Sequence, residues 1–171
     1  MTSFIAPTPS HINGRNVSLN TRAEVGFFSG ARGVSLNSED IDESFDDLKD
    51  TIASHKLSAT DAVTGRFYRL KNTKREVCWQ LSSSDGNRIY LLYVHINAGV
   101  NLPFSRIKLT ELEPATRYRL QLRHESYSGD ALMNIGIDLP YSSAIQAPQE
   151  HVNEVLAKGD FVSRLFLFER I

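Results

Sequence analysis

The chain has 171 residues and a net charge of −1, which fits one domain of ordinary size or a small domain with an appendage. The near-zero charge gives no indication of a nucleic-acid or membrane partner. Cys78 is the single cysteine, which excludes an internal disulfide and a cysteine-based zinc cluster and fits a reducing compartment. The sequence has neither a signal-peptide pattern nor an apolar run of ~18 residues. We therefore expect a cytoplasmic protein without a metal or another cofactor.

The first 57 residues alternate between predicted strands and predicted helices. Residues 2–6, which include Phe4 and Ile5, and residues 33–36 are short apolar runs, typical of buried strands. Residues 19–28 form a short amphipathic pattern that predicts a helix ending near Gly30. A second helix is predicted over residues 38–55, because its apolar side chains recur on one stripe: Ile41, Phe45, Leu48 and Ile52.

The segment from Glu76 to Asn97 is predicted to be a β-hairpin. The dipeptide Asp85-Gly86 favours a type I′ turn, which needs positive φ at both central residues. This turn sets a register that places apolar residues opposite one another on one face: Val77 with Val94, Trp79 with Leu92, and Leu81 with Tyr90. The other face is mixed: Cys78, Gln80 and Ser82 against Ile89, Leu91 and Tyr93. We expect the apolar face to meet a partner sheet and the mixed face to meet a neighbour outside this chain.

Four further segments predict strands. Phe67–Leu70 is one, and Phe161–Arg170 is another, with apolar side chains on both faces. Residues 105–112 and 117–124 both alternate, so we predict a second hairpin between them, pairing Leu109 with Leu120 and Ile107 with Leu122. Regular short strands with turn signals indicate an antiparallel β-sandwich.

Several stretches resemble the glycoside hydrolase family 36 α-galactosidases. They are TGRFYRL (64–70), CWQLSSSDGNR (78–88), LPFSRIKL (102–109), YSGDALMNIGIDLP (127–140) and GDFVSRLFLFER (159–170). In the family these stretches belong to the β-sandwich that follows the catalytic barrel. Residues 1–15 and 20–28 are similar to the end of that barrel. The resemblance implies a mainly β fold, with a C-terminal antiparallel β-sandwich (58–171) preceded by two β/α units of a (β/α)8 barrel (1–57).

The resemblance also implies an activity that these residues do not carry alone. Family members are retaining glycosidases that act on terminal α-D-galactosides such as melibiose and raffinose. A retaining glycosidase needs two carboxylates about 5 Å apart. In the family both are aspartates, in Lys-Trp-Asp and Gly-Gly-Gly-Arg-Phe-Asp motifs, and neither motif occurs here. We expect a C-terminal fragment with no catalytic residue, inactive alone and structural at most. Its expected partner is the missing N-terminal part of the enzyme or a second copy of the chain.

His11 and Arg15 are the candidate substrate-binding residues. By the resemblance they follow a barrel strand, together with the matching Pro9 and Gly14. Loops at the carboxyl ends of barrel strands carry substrate sites. The alternative is a loop that these two side chains only anchor. Residues 30–36 depart from the family's pattern, and we expect residues 1–57 to pack poorly without the rest of a barrel.

The remaining patterns favour structural roles. The acidic run Glu39–Asp50 is typical of a solvated helix face, and the five histidines lack metal-ligand spacing. Trp79 is expected in the core rather than as a sugar platform. Residues 127–130 are predicted to form a turn in which Asp130 caps backbone donors. Four basic residues are predicted to share a solvated sheet face: Arg106, Lys108, Arg119 and Arg123.

Two other interpretations stay open at this point. The chain fits a free-standing β-sandwich that binds carbohydrate or another subunit, which predicts an exposed row of aromatic side chains. It also fits a remnant without activity. The sequence does not distinguish a gene fragment, one half of a split enzyme and a stand-alone module.

Overall fold

The computed structural model describes residues 4–5, 17, 19–29, 33–34, 59–96, 105–121, 125–139 and 162–171. The helices in these ranges are α1 (Leu19–Phe28), α2 (59–64) and α3 (Gly129–Asn134). The strands are β1 (Phe4–Ile5), β2 (Gly33–Val34), β3 (Arg66–Asn72), β4 (Glu76–Ser82), β5 (Arg88–His95), β6 (Ser105–Ile107), β7 (Arg117–Leu120), β8 (Glu125–Ser128), β9 (Ile137–Leu139) and β10 (Val162–Arg170). The predicted mainly β class is confirmed.

A six-stranded antiparallel sheet forms the centre of the fold, in the order β3-β4-β5-β10-β7-β8. The predicted register between β4 and β5 is confirmed, with Leu81 opposite Tyr90 and Val77 opposite Val94. Strand β10, the last in the chain, pairs with β5 on one side and with β7 on the other. The last segment of the sequence therefore lies in the middle of the sheet.

The turn between β4 and β5 is not of the predicted type. Gly86 has a φ of 70°, but Asp85 does not have positive φ, which excludes type I′. The four-residue loop 84–87 is closed by the Ser83 N–H, which donates to the Arg88 carbonyl at 2.8 Å. The Asp85 carboxylate accepts from the Ser83 hydroxyl and, at 3.0 Å, from the Asn87 N–H. Aspartate therefore forms an Asx turn here, and the longer loop keeps the same strand register.

These hydrogen bonds predict an acid-sensitive turn. The Ser83 hydroxyl and the Asn87 N–H hold the pKa of the Asp85 carboxyl at about 2. Because the folded-state pKa is depressed, the stabilisation is present above the unfolded pKa of about 4 and is lost as the pH falls towards 2. An NMR titration should give a midpoint near 2 for Asp85, and Asp85→Asn should remove this pH dependence. A midpoint near 4 would show that the carboxylate does not accept these bonds in solution.

The second predicted hairpin is wrong. Strand β6 pairs with β9, with Ile107 opposite Ile137, whereas β7 lies between β10 and β8. The turn over 113–116 exists, since the Thr116 N–H donates to the Glu113 carbonyl at 3.1 Å. However, Leu109 donates its N–H to Leu132 of α3 at 3.0 Å rather than to a strand. The alternating pattern predicts which side chains are buried, but it does not identify the strand with which each segment pairs.

The larger core lies between the six-stranded sheet and the two-stranded sheet β6–β9. The six-stranded sheet contributes the mixed face of the β4–β5 hairpin, which corrects the predicted assignment of the two faces. Gln80 is fully buried in this core although its side chain is polar. Its amide donates to the Thr110 carbonyl at 2.8 Å and to Ser82 at 3.0 Å, and accepts from the Thr110 N–H at 2.9 Å. A buried amide with these bonds made is compatible with a core.

We predict a large effect of removing this amide. Gln80→Ala leaves both backbone groups of Thr110 without their partner and opens a cavity, so the free energy of unfolding should fall by about 2–4 kcal/mol. Gln121 is exposed, and Gln121→Ala should change it by less than about 0.5 kcal/mol. Urea unfolding of both variants measures the difference. Equal midpoints would show that the Gln80 bonds contribute nothing.

Residues 127–130 do not form the predicted turn. Strand β8 ends at Ser128, which caps α3 by accepting the Ala131 N–H at 3.1 Å. Asp130 instead accepts from the Asn134 side chain at 2.7 Å. The serine takes the capping role because its hydroxyl reaches the third residue of the helix.

The predicted basic sheet face is also not formed. Arg106 lies on β6 and donates twice to Asp138, at 2.7 and 3.0 Å. Arg119 lies on the six-stranded sheet, 3.8 Å from the Glu169 carboxylate. The two arginines are on different sheets and each has an acidic neighbour, whereas Arg123 lies outside the described residues.

The start of the chain is a strand, a helix and a strand, as predicted. Strands β1 and β2 pair in parallel, with Phe4 opposite Gly33, and α1 contacts both. The predicted helix over 38–55 lies outside the described residues.

Candidate functional site

Helix α1 packs on the second face of the six-stranded sheet, mainly against β10 and β5. Phe27 and Phe28 at the end of α1 are buried against the apolar face of the hairpin. We call this contact the α1 interface; its buried members are Phe27, Phe28, Leu81, Tyr90 and Leu92, and its half-buried members are Val25, Ala62, Trp79, Val94, Leu165 and Leu167. Among the described residues, the apolar face therefore meets a helix rather than the predicted partner sheet. Helix α1 is well packed, contrary to the expectation for residues 1–57.

An aromatic row runs through the α1 interface. The Phe27 ring lies edge-on to Tyr90, with centroids 5.3 Å apart. The Phe28 ring is 6.4 Å from both Trp79 and Phe67, which are 5.8 Å from each other. Edge-to-face pairs at these distances add to the burial energy. Trp79 is therefore part of the packing, as predicted.

Polar contacts attach α1 to strand β10. Ser163 is buried, and its backbone N–H donates to the Thr21 hydroxyl at 3.2 Å. The Ser163 hydroxyl donates to the Glu24 carboxylate. Since the two sides of this contact are about 140 residues apart, it joins the beginning of the chain to its end.

A second polar contact attaches α2 to strand β5. Asp61 is buried; it accepts from the Tyr90 hydroxyl at 2.8 Å and from Arg88 Nε at 2.8 Å. Burial and the hydrogen bond to Asp61 raise the pKa of Tyr90, so the phenol stays protonated and continues to donate. Asp61 thereby fixes the chain where it leaves the amino-terminal part and enters the sheet.

A polar recess of about 250 Å³ lies at the loop end of the β4–β5 hairpin, beside Arg66, Tyr68 and Glu111. Glu111 has a φ of 51° and accepts from the Tyr68 hydroxyl at 2.6 Å and from Arg66 at 3.5 Å. These bonds tie residues 109–113 to β3. We assign this part of the recess a structural role, because the Glu111 carboxylate is already engaged by Tyr68 and Arg66.

The described residues do not assemble a metal centre. No group of three histidine, cysteine, aspartate or glutamate residues among them is placed to hold a metal ion. Cys78 is buried, and burial raises the pKa of its thiol, which disfavours a nucleophilic role. Within the same ranges, no helix is long and apolar enough to cross a membrane.

The predicted substrate-binding residues His11 and Arg15 lie outside the described residues, as does the acidic run 39–50. Sequence reasoning missed Ser163 and Asp61. Ser163 had a signal, because it shares a strand face with the apolar Leu165 and Leu167. Asp61 had no local signal, since its partners are 27 and 29 residues away.

Known proteins match this chain along its length. Residues 76–168 match the model of the glycosyl hydrolase family 36 C-terminal domain. The chain is 27% identical to the α-galactosidase Mel36A of Lactobacillus acidophilus, over 100% of this chain and 21% of that protein. It is 31% identical to the α-galactosidase AgaA of Geobacillus stearothermophilus, over 84% of this chain and 20% of that protein.

Solved structures agree with these matches. The crystal structure of AgaA superposes with a TM-score of 0.81 at 26% identity, covering 100% of this chain and 22% of that chain. The Lactobacillus brevis α-galactosidase gives a TM-score of 0.80 at 27% identity, with the same coverage. The chain thus spans about a fifth of the length of these relatives. Because the family model covers more than half of the chain, the protein belongs to glycosyl hydrolase family 36, of which it contains the C-terminal domain.

Proposed function

We propose that residues 1–171 act as the C-terminal part of an α-galactosidase, in which the sandwich supports the end of the catalytic barrel. The observation that carries the proposal is the α1 interface. A parallel strand–helix–strand segment is packed onto the sheet, in a chain that matches the C-terminal fifth of α-galactosidases throughout. In a (β/α)8 barrel, parallel strands alternate with helices that form the outer ring. Residues 1–57 then supply the last two β/α units, and residues 58–171 hold them.

Under this proposal the chemistry belongs to the rest of the enzyme. Residues 1–171 contain neither aspartate motif of the family, so two carboxylates on opposite sides of a glycosidic bond must come from the catalytic part. That part is the proposed partner, and terminal α-D-galactosides are the proposed substrates of the assembled enzyme. His11 and Arg15 are the proposed contribution of this chain to substrate binding.

A free-standing carbohydrate-binding module is less well supported. Such a module needs aromatic rings presented to solvent. In the described ranges, Phe67 is the one aromatic residue among the exposed large apolar side chains, and its ring packs on Trp79 and Phe28. The aromatic row serves the α1 interface instead.

The test is an exchange chimera, in which residues 1–171 replace the corresponding C-terminal fifth of AgaA. We expect the chimera to fold and to hydrolyse a chromogenic α-galactoside. Residues 1–171 alone should not hydrolyse this substrate and should not bind raffinose saturably at millimolar concentration. In the chimera, His11→Ala should raise KM by roughly tenfold, the loss of a hydrogen bond or two to substrate. Hydrolysis by the isolated chain, or saturable raffinose binding to it, would contradict the scaffold role.

A further inference from the structure

The sulfur of Met133 in helix α3 accepts a hydrogen bond from the backbone. The Leu112 N–H donates to the Met133 Sδ at 3.4 Å. Leu112 is buried, and this sulfur is the acceptor that its N–H has among the described residues. A thioether is a weak acceptor, but a buried N–H without any partner costs free energy. The sulfur atom of Met133 therefore has a structural role that an aliphatic side chain would not supply.

Met133 is also partly accessible from the solvent. Its side chain packs against the larger core but is only half-buried. Oxidation of sulfur-containing side chains follows their exposure, so a small oxidant reaches Met133 more easily than the buried thiol of Cys78. The sequence contains one other methionine, Met1.

The backbone on both sides of Met133 is in close contact with the preceding part of the chain. A Cβ atom on Gly129, where α3 begins, would lie 2.1 Å from the Glu113 carbonyl oxygen. A Cβ atom on Gly136, just after the helix, would lie 2.5 Å from the Ile107 carbonyl oxygen. Helix α3 therefore has little room to shift when an atom is added to the Met133 side chain.

We propose that Met133 is an oxidative modification site, at which a peroxide converts the thioether to the sulfoxide. The Sδ lone pair attacks one oxygen of hydrogen peroxide, so that an S–O bond forms as the O–O bond breaks. The sulfur is oxidised by two electrons and the peroxide is reduced. The proton of the transferred hydroxyl passes to the departing hydroxide, which leaves as water. The product side chain is polar and larger by one oxygen atom.

This modification weakens the contact between α3 and residues 109–113. The Leu112 N–H points at the sulfur and not at an oxygen bonded to it, and the apolar contact with the larger core becomes polar. Residues 109–113 also carry Thr110, whose backbone forms two hydrogen bonds with the buried amide of Gln80. Oxidation at Met133 thus reaches the larger core through this segment. Because methionine sulfoxide can be reduced enzymatically, the change is reversible.

The experiment compares residues 1–171 with the variant Met133→Leu, a swap of similar volume that has no sulfur to oxidise. After mild treatment of the folded chain with hydrogen peroxide, peptide mass spectrometry should find one added oxygen at Met133. The equilibrium constant for unfolding in urea should then rise by at least about tenfold, because a buried donor loses its acceptor. In Met133→Leu the same treatment should change it by less than about twofold. Both chains contain Met1 and Cys78, so oxidation at those residues contributes equally.

Two further readouts locate and reverse the effect. Hydrogen exchange at the Leu112 amide should become faster in the oxidised chain. Treatment with a methionine sulfoxide reductase should restore both the exchange rate and the unfolding midpoint. These measurements follow the stability of the fold, so they test the proposal independently of any α-galactosidase activity.

Three results would overturn the proposal. Uptake of oxygen at Met133 only after the chain is unfolded would show that the fold shields the sulfur. Uptake in the folded chain without a change in unfolding would mean that the bond to sulfur contributes nothing. An equal peroxide effect in Met133→Leu would assign the sensitivity to Met1 or Cys78.

Discussion

Gly129→Ala should lower the free energy of unfolding by about 4 kcal/mol or more, which few single substitutions do. A Cβ atom on Gly129 would lie 2.1 Å from the Glu113 carbonyl oxygen and 3.3 Å from the Tyr118 ring. The start of α3 and the 113–116 turn cannot move apart freely, because two hydrogen bonds join them. The Gly129 N–H donates to the Thr116 carbonyl at 2.8 Å, and the Asp130 N–H donates to the Pro114 carbonyl at 3.0 Å. The clash therefore breaks the junction between the 113–116 turn and α3.

Gly86→Ala is the matched control for this substitution. Gly86 has a φ of 70°, but no atom lies within 4 Å of a Cβ placed there. Its cost is the strain of a left-handed backbone, about 1–2 kcal/mol. Urea unfolding followed by circular dichroism should separate the two variants clearly. If both variants lost the same free energy of unfolding, close packing of the backbone at Gly129 would not be the cause of the destabilisation.

Phe27→Ala should be the most damaging of the truncations on the helix side of the α1 interface. Phe27 is buried and lies edge-on to Phe28 and Tyr90, with centroids at 5.2 and 5.3 Å. Truncation of a buried phenylalanine costs about 3–5 kcal/mol. The loss should be local, because Phe27 contacts the sheet face opposite the larger core.

Hydrogen exchange gives the readout for this prediction. The backbone amides of α1 should lose most of their protection in Phe27→Ala, while those of β4 and β5 keep theirs. Val25→Ala, a smaller change at a half-buried position of the same interface, should cost only about 1 kcal/mol. Unchanged protection in α1 would mean that the helix is not held by the sheet.

Local pattern predicted those parts of the fold whose partners are close in sequence. The hairpin register follows from alternating apolar residues on two strands joined by a short loop, so Leu81 and Tyr90 could be paired in advance. The two apolar faces of β10 also follow from alternation, and Phe166 and Leu165 lie in different clusters as predicted.

The wrong predictions concern residues whose strand pairing or burial depends on a distant part of the chain. Ile107 alternates like a hairpin residue, but its strand pairs with β9, some 30 residues away. Gln80 makes one hairpin face look half polar in the sequence. That face can be buried because the backbone of Thr110, 30 residues away, forms hydrogen bonds with the Gln80 amide. Ser163 and Asp61, which hold the helices on the sheet, have partners at least 27 residues distant. No local pattern contains that information.

The most direct measurement for the whole account is kcat/KM of the exchange chimera on a chromogenic α-galactoside, relative to intact AgaA. If residues 1–171 support the end of the barrel, the chimera should retain activity within about two orders of magnitude, since misplacement by about 1 Å costs roughly a hundredfold. A second chimera that also carries Phe27→Ala, and so lacks the α1 contact, should fall well below the first. A folded first chimera with no detectable hydrolysis would contradict the account.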